Sequence, residues 1–362
     1  MAQQESRMTI LDRYIIRSIL GSVALVLAIF LVLGALFAFI GEQDDIGIGH
    51  YTALDAFWFV LLSLPQQAWE VLPIAALIGS LVGLGTLARG SELTVIRATG
   101  VSVARLAAAA LAAALVLIVC EVALGEFFGP PLQQAAKQHK AFAKFTDMSF
   151  GGGGGAWVRD GNLILNVTRQ SLGRRFGAMQ VFELSPEHKL LSIGHAARAT
   201  AGSNRTWLLS DYGESRFTPG RVLARAGGER VLHSSVSAGF LGLAVVDPSD
   251  LEVSALWRLI SYFKANALDA RPYVFAFWSR VARTVAIAFA VLLGIPFVLG
   301  SLRSAGAGAR TLVGLMLGMI FFLLQRLIES GTIVFQLNPV VLAWLPTALL
   351  TTVALGLLWR TR

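Results

Sequence analysis

The ionisable residues with chemistry to offer stand at the ends of long apolar runs. Arg280 and Arg283 are three apart, as are Arg326 and Glu329. Glu121 and Glu126 close another run, and Lys137, Lys140 and Lys144 follow at helical spacing. Such spacing puts side chains on one helical face. Charges in or beside apolar spans are costly; they pair, snorkel to headgroups or line a polar path. Taken singly, each residue fits snorkelling, with an Arg326–Glu329 pair. Taken as a cluster, they fit a polar lining around an outward-leaning cavity that holds an anionic lipid head.

A second constellation runs from Arg89 through Ser91, Glu92, Leu93, Val95, Ile96 and Arg97 to Gly100. Ser91 is placed to cap a short helix, and Gly100 to end it in the left-handed conformation. Leu93, Val95 and Ile96 would then sit on a helix with no core of its own. Such a helix docks into a partner, or it is a turn lying on the bilayer surface. The residues alone favour neither.

Other chemistry is missing. The five glycines Gly151 to Gly155 lack the Gly-Lys-Ser/Thr of a phosphate loop and read as a flexible loop. No Walker motif occurs, so the chain does not hydrolyse ATP by P-loop chemistry. The five histidines, His50, His139, His188, His195 and His233, lack metal-ligand spacing, and no metal site or catalytic residue is expected. No nucleophile elbow or His-Glu-x-x-His occurs. One cysteine, Cys120, excludes an internal disulfide.

Elements must position these residues, and composition says where. The chain has 362 residues, 55% hydrophobic and 14% charged, against about 25% charged in soluble domains. This excludes a disordered chain and argues for an integral membrane protein. Six apolar runs approach the roughly 20 residues a helical crossing needs. They are Ile19 to Ile40, a stretch within Phe57 to Leu87, Leu106 to Phe128, Tyr273 to Leu299, Thr311 to Ile328 and Val340 to Trp359. The second is too long for one straight crossing; Pro65 predicts a kink after an interfacial lead-in. Arg7, Arg13, Arg17, Arg89, Arg97, Arg105, Arg303, Arg310, Arg360 and Arg362 flank the same side. Loops 41–56 and 330–338 carry no Lys or Arg. The positive-inside rule therefore predicts cytoplasmic termini and an outside segment 129–271, periplasmic in a Gram-negative cell.

The expected organisation is spans one to three in 1–128, a polar domain in 129–271 and spans four to six in 272–362. The middle segment holds 17 basic and 11 acidic residues, most of the chain's net +8. Such an excess suits a polyanionic partner, a phospholipid or phosphorylated glycolipid ahead of nucleic acid. Alternating residues at 163–167, 179–182, 206–209 and 230–233 predict strands of an antiparallel sandwich or jelly roll. Helices are expected at 131–146 and 249–265.

These features resemble a known family. Leu11-Asp12-Arg13-Tyr14-Ile15, Leu72-Pro73-Ile74-Ala75-Ala76-Leu77-Ile78-Gly79 and Ser91-Glu92-Leu93 with Ala98-Thr99-Gly100 carry the resemblance. So do Val246-Asp247-Pro248 and Gly300-Ser301-Leu302-Arg303-Ser304. In this order they resemble the YjgP/YjgQ permeases, the membrane subunits of the lipopolysaccharide-transport (Lpt) ABC exporter. The resemblance implies an α-helical membrane protein of six transmembrane helices with an inserted all-β periplasmic jelly-roll domain, in the bacterial inner membrane. It implies a heterodimer with the sister permease LptF, two copies of the ATPase LptB, and LptC. Lateral gates would form between span one of each permease and span five of the other. No cofactor would be bound by this chain; ATP and Mg would be used by LptB. Glu92 matches the acidic residue of the family's coupling helix, with Arg89, Leu93, Ile96 and Arg97 around it. Lys137 and Lys140 match basic positions near the cavity rim, and Arg280 one at the start of span four.

The family's usual lysines after span one are missing from Ala38 to Asp45, and Gln66 replaces another basic residue. Phosphate recognition would then rest on Lys137, Lys140, Arg280, Arg283 and Arg326, on the partner subunit, or on divalent cations bridging Glu42, Asp44 and Asp45 to phosphate. Val181, Phe182, Trp207 and Leu209 are candidates for an apolar slide for acyl chains, or for ordinary sandwich core. Competing readings are LptF itself, a membrane-anchored periplasmic enzyme acting on envelope glycolipid, and an envelope scaffold.

Overall fold

Thr52 starts the longest described helix. Its hydroxyl accepts from the Asp55 amide at 3.4 Å, and the Asp55 carboxylate accepts from the Thr52 amide at 2.8 Å, a capping box. In the computed structural model the described residues are 10–144, 156–160, 162–167, 175–176, 178–186, 189–201, 206–218, 220–233, 248–266, 268–299, 307–334 and 337–360. The helices are α1 (Ile10–Gly41), α2 (Ala53–Arg89), α3 (Glu92–Ala98), α4 (Val103–Ala123) and α5 (Gly129–Lys144). After the strands come α6 (Val253–Ala265), α7 (Arg271–Leu299), α8 (Ala307–Val334) and α9 (Pro339–Arg360).

The chain divides into two compact units, Met1–Lys144 with Val274–Arg362, and Phe145–Tyr273. The first is helical. Five helical stretches are long and apolar enough to cross a membrane: Ile10–Asp45, Ala53–Arg89, Val103–Lys140, Arg271–Leu299 and Pro339–Arg360. Helix α8 holds a shorter apolar segment, Leu312–Ile328. The lead-in and crossing expected on either side of Pro65 form one helix, with Pro65 and Pro73 both inside it.

Helix α2 is the hub because small residues let its neighbours approach. A Cβ on Gly79 would lie 2.5 Å from the Val23 Cα, and one on Gly83 2.8 Å from the Ser18 carbonyl oxygen of α1. A Cβ on Gly314 or Gly318 of α8 would lie 3.0 Å from Leu81 or Ile74 of α2 respectively. Glycines four apart are a close-packing device for helices in lipid, where dispersion and hydrogen bonds replace the hydrophobic drive. Thr347 on α9 donates to the Ala282 carbonyl of α7 at 3.0 Å, serving the same purpose.

A π-helical turn, Leu124–Phe128, joins α4 to α5. Helix α5 packs on α2 and clusters with the helical unit. The boundary expected at residue 129 therefore falls after Lys144 in the structure, because α5 prolongs the third apolar helix.

The second unit is built on an antiparallel sheet of eight strands, ordered β1-β2-β4-β5-β6-β7, with β3 also on β5 and β8 also on β6. The strands are β1 (Ala156–Asp160), β2 (Leu163–Val167), β3 (Arg175–Phe176), β4 (Met179–Leu184), β5 (Leu190–Ala201), β6 (Thr206–Thr218), β7 (Arg221–Arg225) and β8 (Arg230–His233). Leu165, Met179, Val181, Ala196, Trp207, Leu209, Tyr212 and Leu232 form its core, with Tyr262 of α6 against it. Gly194 is required there: a Cβ would fall within the Tyr212 side chain. A 3-10 turn, Pro248–Asp250, precedes α6, so the predicted helix starts later than expected.

Candidate functional site

The α2–α4 connection folds as α3, the helical one of the two readings its sequence left open. Gly100 takes φ 91°, the left-handed conformation, and its amide donates to the Arg97 carbonyl at 3.0 Å. Ser91 departs from expectation. It adopts φ 59° itself and makes no side-chain cap hydrogen bond. Leu93 is turned into the helical core with Ile15, Ile16 and Leu106. It anchors α3 and does not offer a docking face. Arg89, Glu92, Val95 and Arg97 are exposed and Ile96 is half-buried. Thus α3 and its entry present both signs of charge around apolar Val95, with Leu93 anchoring the helix beneath.

Glu92 already has a partner. The Tyr14 hydroxyl of α1 donates to its Oε2 at 2.8 Å. Asp12, half a turn earlier, accepts from Arg105 of α4 at 3.5 Å. The start of α1 is therefore tied both to α3 itself and to α4, which follows it. Tyr14 was singled out only as part of a family pattern. Its role needs a contact 78 positions away in sequence, which spacing does not reveal.

At the other end of the unit, Lys140 of α5 reaches the loop between α1 and α2. Its Nζ lies 2.7 Å from Glu42 Oε1 and 2.8 Å from Asp45 Oδ2, and 4.9 Å from the Phe59 ring centroid. Tyr51 donates to the other Glu42 oxygen at 2.7 Å. Burial, then the Glu42 carboxylate, push the Tyr51 hydroxyl above its ordinary pKa and keep it a donor. His139 meets Asp55 at 2.9 Å, and the His50 amide donates to the Ala143 carbonyl at 2.7 Å. Lys137 is exposed on the same helix. In this arrangement the Glu42 and Asp45 carboxylates expected to bridge a cation to phosphate hold Lys140.

The third cluster surrounds Trp69 of α2. The guanidinium carbons of Arg280 and Arg283 lie 4.6 and 4.3 Å from its ring centroid. Arg280 is 6% exposed and donates to the Gly125 carbonyl at 2.8 Å and to Glu126 at 3.2 Å. Both acceptors lie in the π-helical turn, a feature frequent at functional sites. Gly125 must be glycine, since a Cβ would sit 2.5 Å from Trp69 Nε1. With the Gln325 amide of α8 assigned so that its oxygen faces the guanidinium, the orientation that satisfies both groups, Arg283 donates to it from Nη2 at 2.8 Å and from Nε at 3.0 Å. Glu121 is 1% exposed. Neither of its oxygens has a hydrogen-bond partner among the described residues. Arg326 is exposed on α8; Glu329's side chain lies outside the described residues, so their expected pairing does too.

The five basic candidates are thus not gathered into one cup. Lys140 belongs to the α1–α2 loop, Arg280 to the π turn and Arg283 to the α8 contact. The sequence missed Trp69 and Gln325, which lack charge and carried no motif.

In the sheet unit, Val181, Trp207 and Leu209 join one apolar cluster. Phe182 does not. Consecutive strand residues face opposite ways, so Phe182 points away from Val181 and is half-buried. The buried face turns polar at one end. Glu183, Glu214, Arg216 and Arg230 exchange ion pairs of 3.1 to 3.8 Å there, and Arg230 donates to the Tyr212 hydroxyl at 2.8 Å.

Comparison with known proteins places this geometry. A family model described as lipopolysaccharide export system permease LptF/LptG matches residues 13–360. The lipopolysaccharide export system permease protein LptG of Escherichia coli K12 is 30% identical over 353 residues, 97% of this chain and 98% of the relative. The protein of the same name from Haemophilus influenzae is 28% identical, over 97% of this chain and 99% of its own length. Apolar helices, the short α3 loop and the inserted antiparallel sheet lie in one continuous match, and the chain belongs to the LptF/LptG family of lipopolysaccharide export permeases.

Proposed function

We propose that this permease is the membrane part of an ATP-driven exporter that takes lipopolysaccharide from the outer leaflet of the inner membrane and passes it to a periplasmic bridge. The observation that carries the mechanism is α3, a short helix with exposed Glu92 and Val95, anchored by Leu93 and hydrogen-bonded to α1 through Tyr14. An ATPase that seats on this helix transmits its closure to α1. The partners in this reading are LptF, a dimer of LptB that uses ATP and Mg, and LptC. The chain has six spans and cytoplasmic termini, and residues of the sheet unit form a periplasmic jelly roll. Five strongly apolar helices, the segment Leu312–Ile328 and the antiparallel sheet support that layout. Lys137 and Arg326, exposed on α5 and α8, are the basic residues of the set best placed to meet lipid phosphate. Val181, Trp207 and Leu209 take acyl chains when the sheet opens.

Co-purification with LptB and LptF tests the reading. Glu92→Lys reverses the charge on the docking face. Wild type is expected to bring down the ATPase, and Glu92→Lys to lose at least tenfold in affinity, about 1.4 kcal/mol. Equal binding by the variant removes α3 as the coupling element and favours the scaffold reading.

A further inference from the structure

We infer that Glu121 is a second berth for Arg283, which leaves Gln325 on α8 and pairs with Glu121 on α4 when α8 shifts. Three observations carry this. Glu121 is 1% exposed, with both carboxylate oxygens lacking a hydrogen-bond partner among the described residues. A carboxylate buried in that way is costly unless a partner arrives. Arg283 is the donor with capacity to spare. Its Nη1 is buried without a partner, while Nη2 and Nε are held by a neutral amide. A charged acceptor makes the stronger hydrogen bond, so the amide holds Arg283 only while α8 stays close.

The third observation is the Trp69 ring. Both guanidiniums stack on it, but Arg280 is fixed at its other end by Gly125 and Glu126. Arg280 is the pivot, and Arg283, one turn on, is the mobile member. The indole gives Arg283 a cation-binding face along its path. Glu121 is thus a positioning residue that stabilises the helix arrangement with α8 displaced. The inference rests on the permease reading only for the moment in the cycle when α8 moves.

The test uses the full chain assembled with its partners in nanodiscs, in a Cys120→Ser background. Spin labels go on the exposed positions Val122 of α4 and Leu327 of α8, each changed to Cys. Without nucleotide, Gln325→Ala is expected to lengthen the mean label distance by several ångströms. Adding Glu121→Gln is expected to reverse most of that shift. In vesicles, Glu121→Gln is expected to slow lipopolysaccharide release at least about fivefold, the low end of typical coupling energies. Gln325→Glu, which gives Arg283 an ionic partner on α8, should slow release similarly while keeping the wild-type distance. No shift with Gln325→Ala, or a shift that Glu121→Gln leaves in place, overturns the inference. So does Gln325→Glu releasing lipid at the wild-type rate. If the wild-type assembly releases no lipid, the permease reading fails, and the distances still decide whether Glu121 receives Arg283.

Discussion

Single side chains decide how the helical unit is tied together. Lys140 pairs with Glu42, which is 7% exposed, and with Asp45 beside it. Lys140→Ala leaves a buried carboxylate with only Tyr51 described as its donor. A loss of about 1–3 kcal/mol is expected, read as a lower melting temperature in detergent. Tyr51 gives a pH dependence of defined sign. Its folded pKa is raised, so its contribution is complete below the unfolded value near 10 and is lost as pH rises through the folded value. Wild type should lose stability above pH ~10 more steeply than Tyr51→Phe, measured by melting at a series of alkaline pH values. Tyr14→Phe removes only the hydroxyl that reaches Glu92. If α1 is moved through that contact, the variant should keep the ATPase bound and release lipid several-fold more slowly per ATP hydrolysed. Unchanged release per ATP would leave Tyr14 a spectator.

Elements pack here through glycines, and the tolerance of each glycine follows from what faces it. Gly79→Ala puts a Cβ 2.5 Å from the α1 backbone, which cannot yield without α1 moving away. A loss of about 1–3 kcal/mol is expected from overpacking. Gly21→Ala on α1 meets nothing within 4 Å, and the gain in helix propensity is about 1 kcal/mol. Melting the two variants side by side checks the contrast; equal effects would mean that α1 and α2 do not cross this closely. The elements themselves were largely legible. The apolar runs foretold the long helices, and Gly100 foretold the end of α3. Strand β5 was missed, because Leu190 to Ala201 carries four Ala and one Gly, residues depleted in strands. It forms because β4 and β6 both pair with it. Phe182 was misassigned as an inward residue because a pair of adjacent apolar residues does not say which one faces the core.

On the scale of the whole molecule, each compact unit has its own core. Residues 145–273 expressed alone should therefore fold with β-type circular dichroism and one cooperative melt; a featureless spectrum would show that the sheet depends on the helices. What the sequence determined by itself was the class of the protein. Transfer of apolar surface scales with composition and run length, so a membrane chain with a polar insert could be read without coordinates. It also marked the end of α3 at Gly100, since a glycine stop signal is local, whereas the cap expected of Ser91 did not form. Tertiary structure alone decided which charges are spent. Lys140 meets Glu42, Arg280 meets the π turn and Tyr14 meets Glu92, at separations of 98, 154 and 78 residues. A charge's role depends on its nearest partners, and in a dry interior partners are chosen by packing between helices that no local pattern encodes.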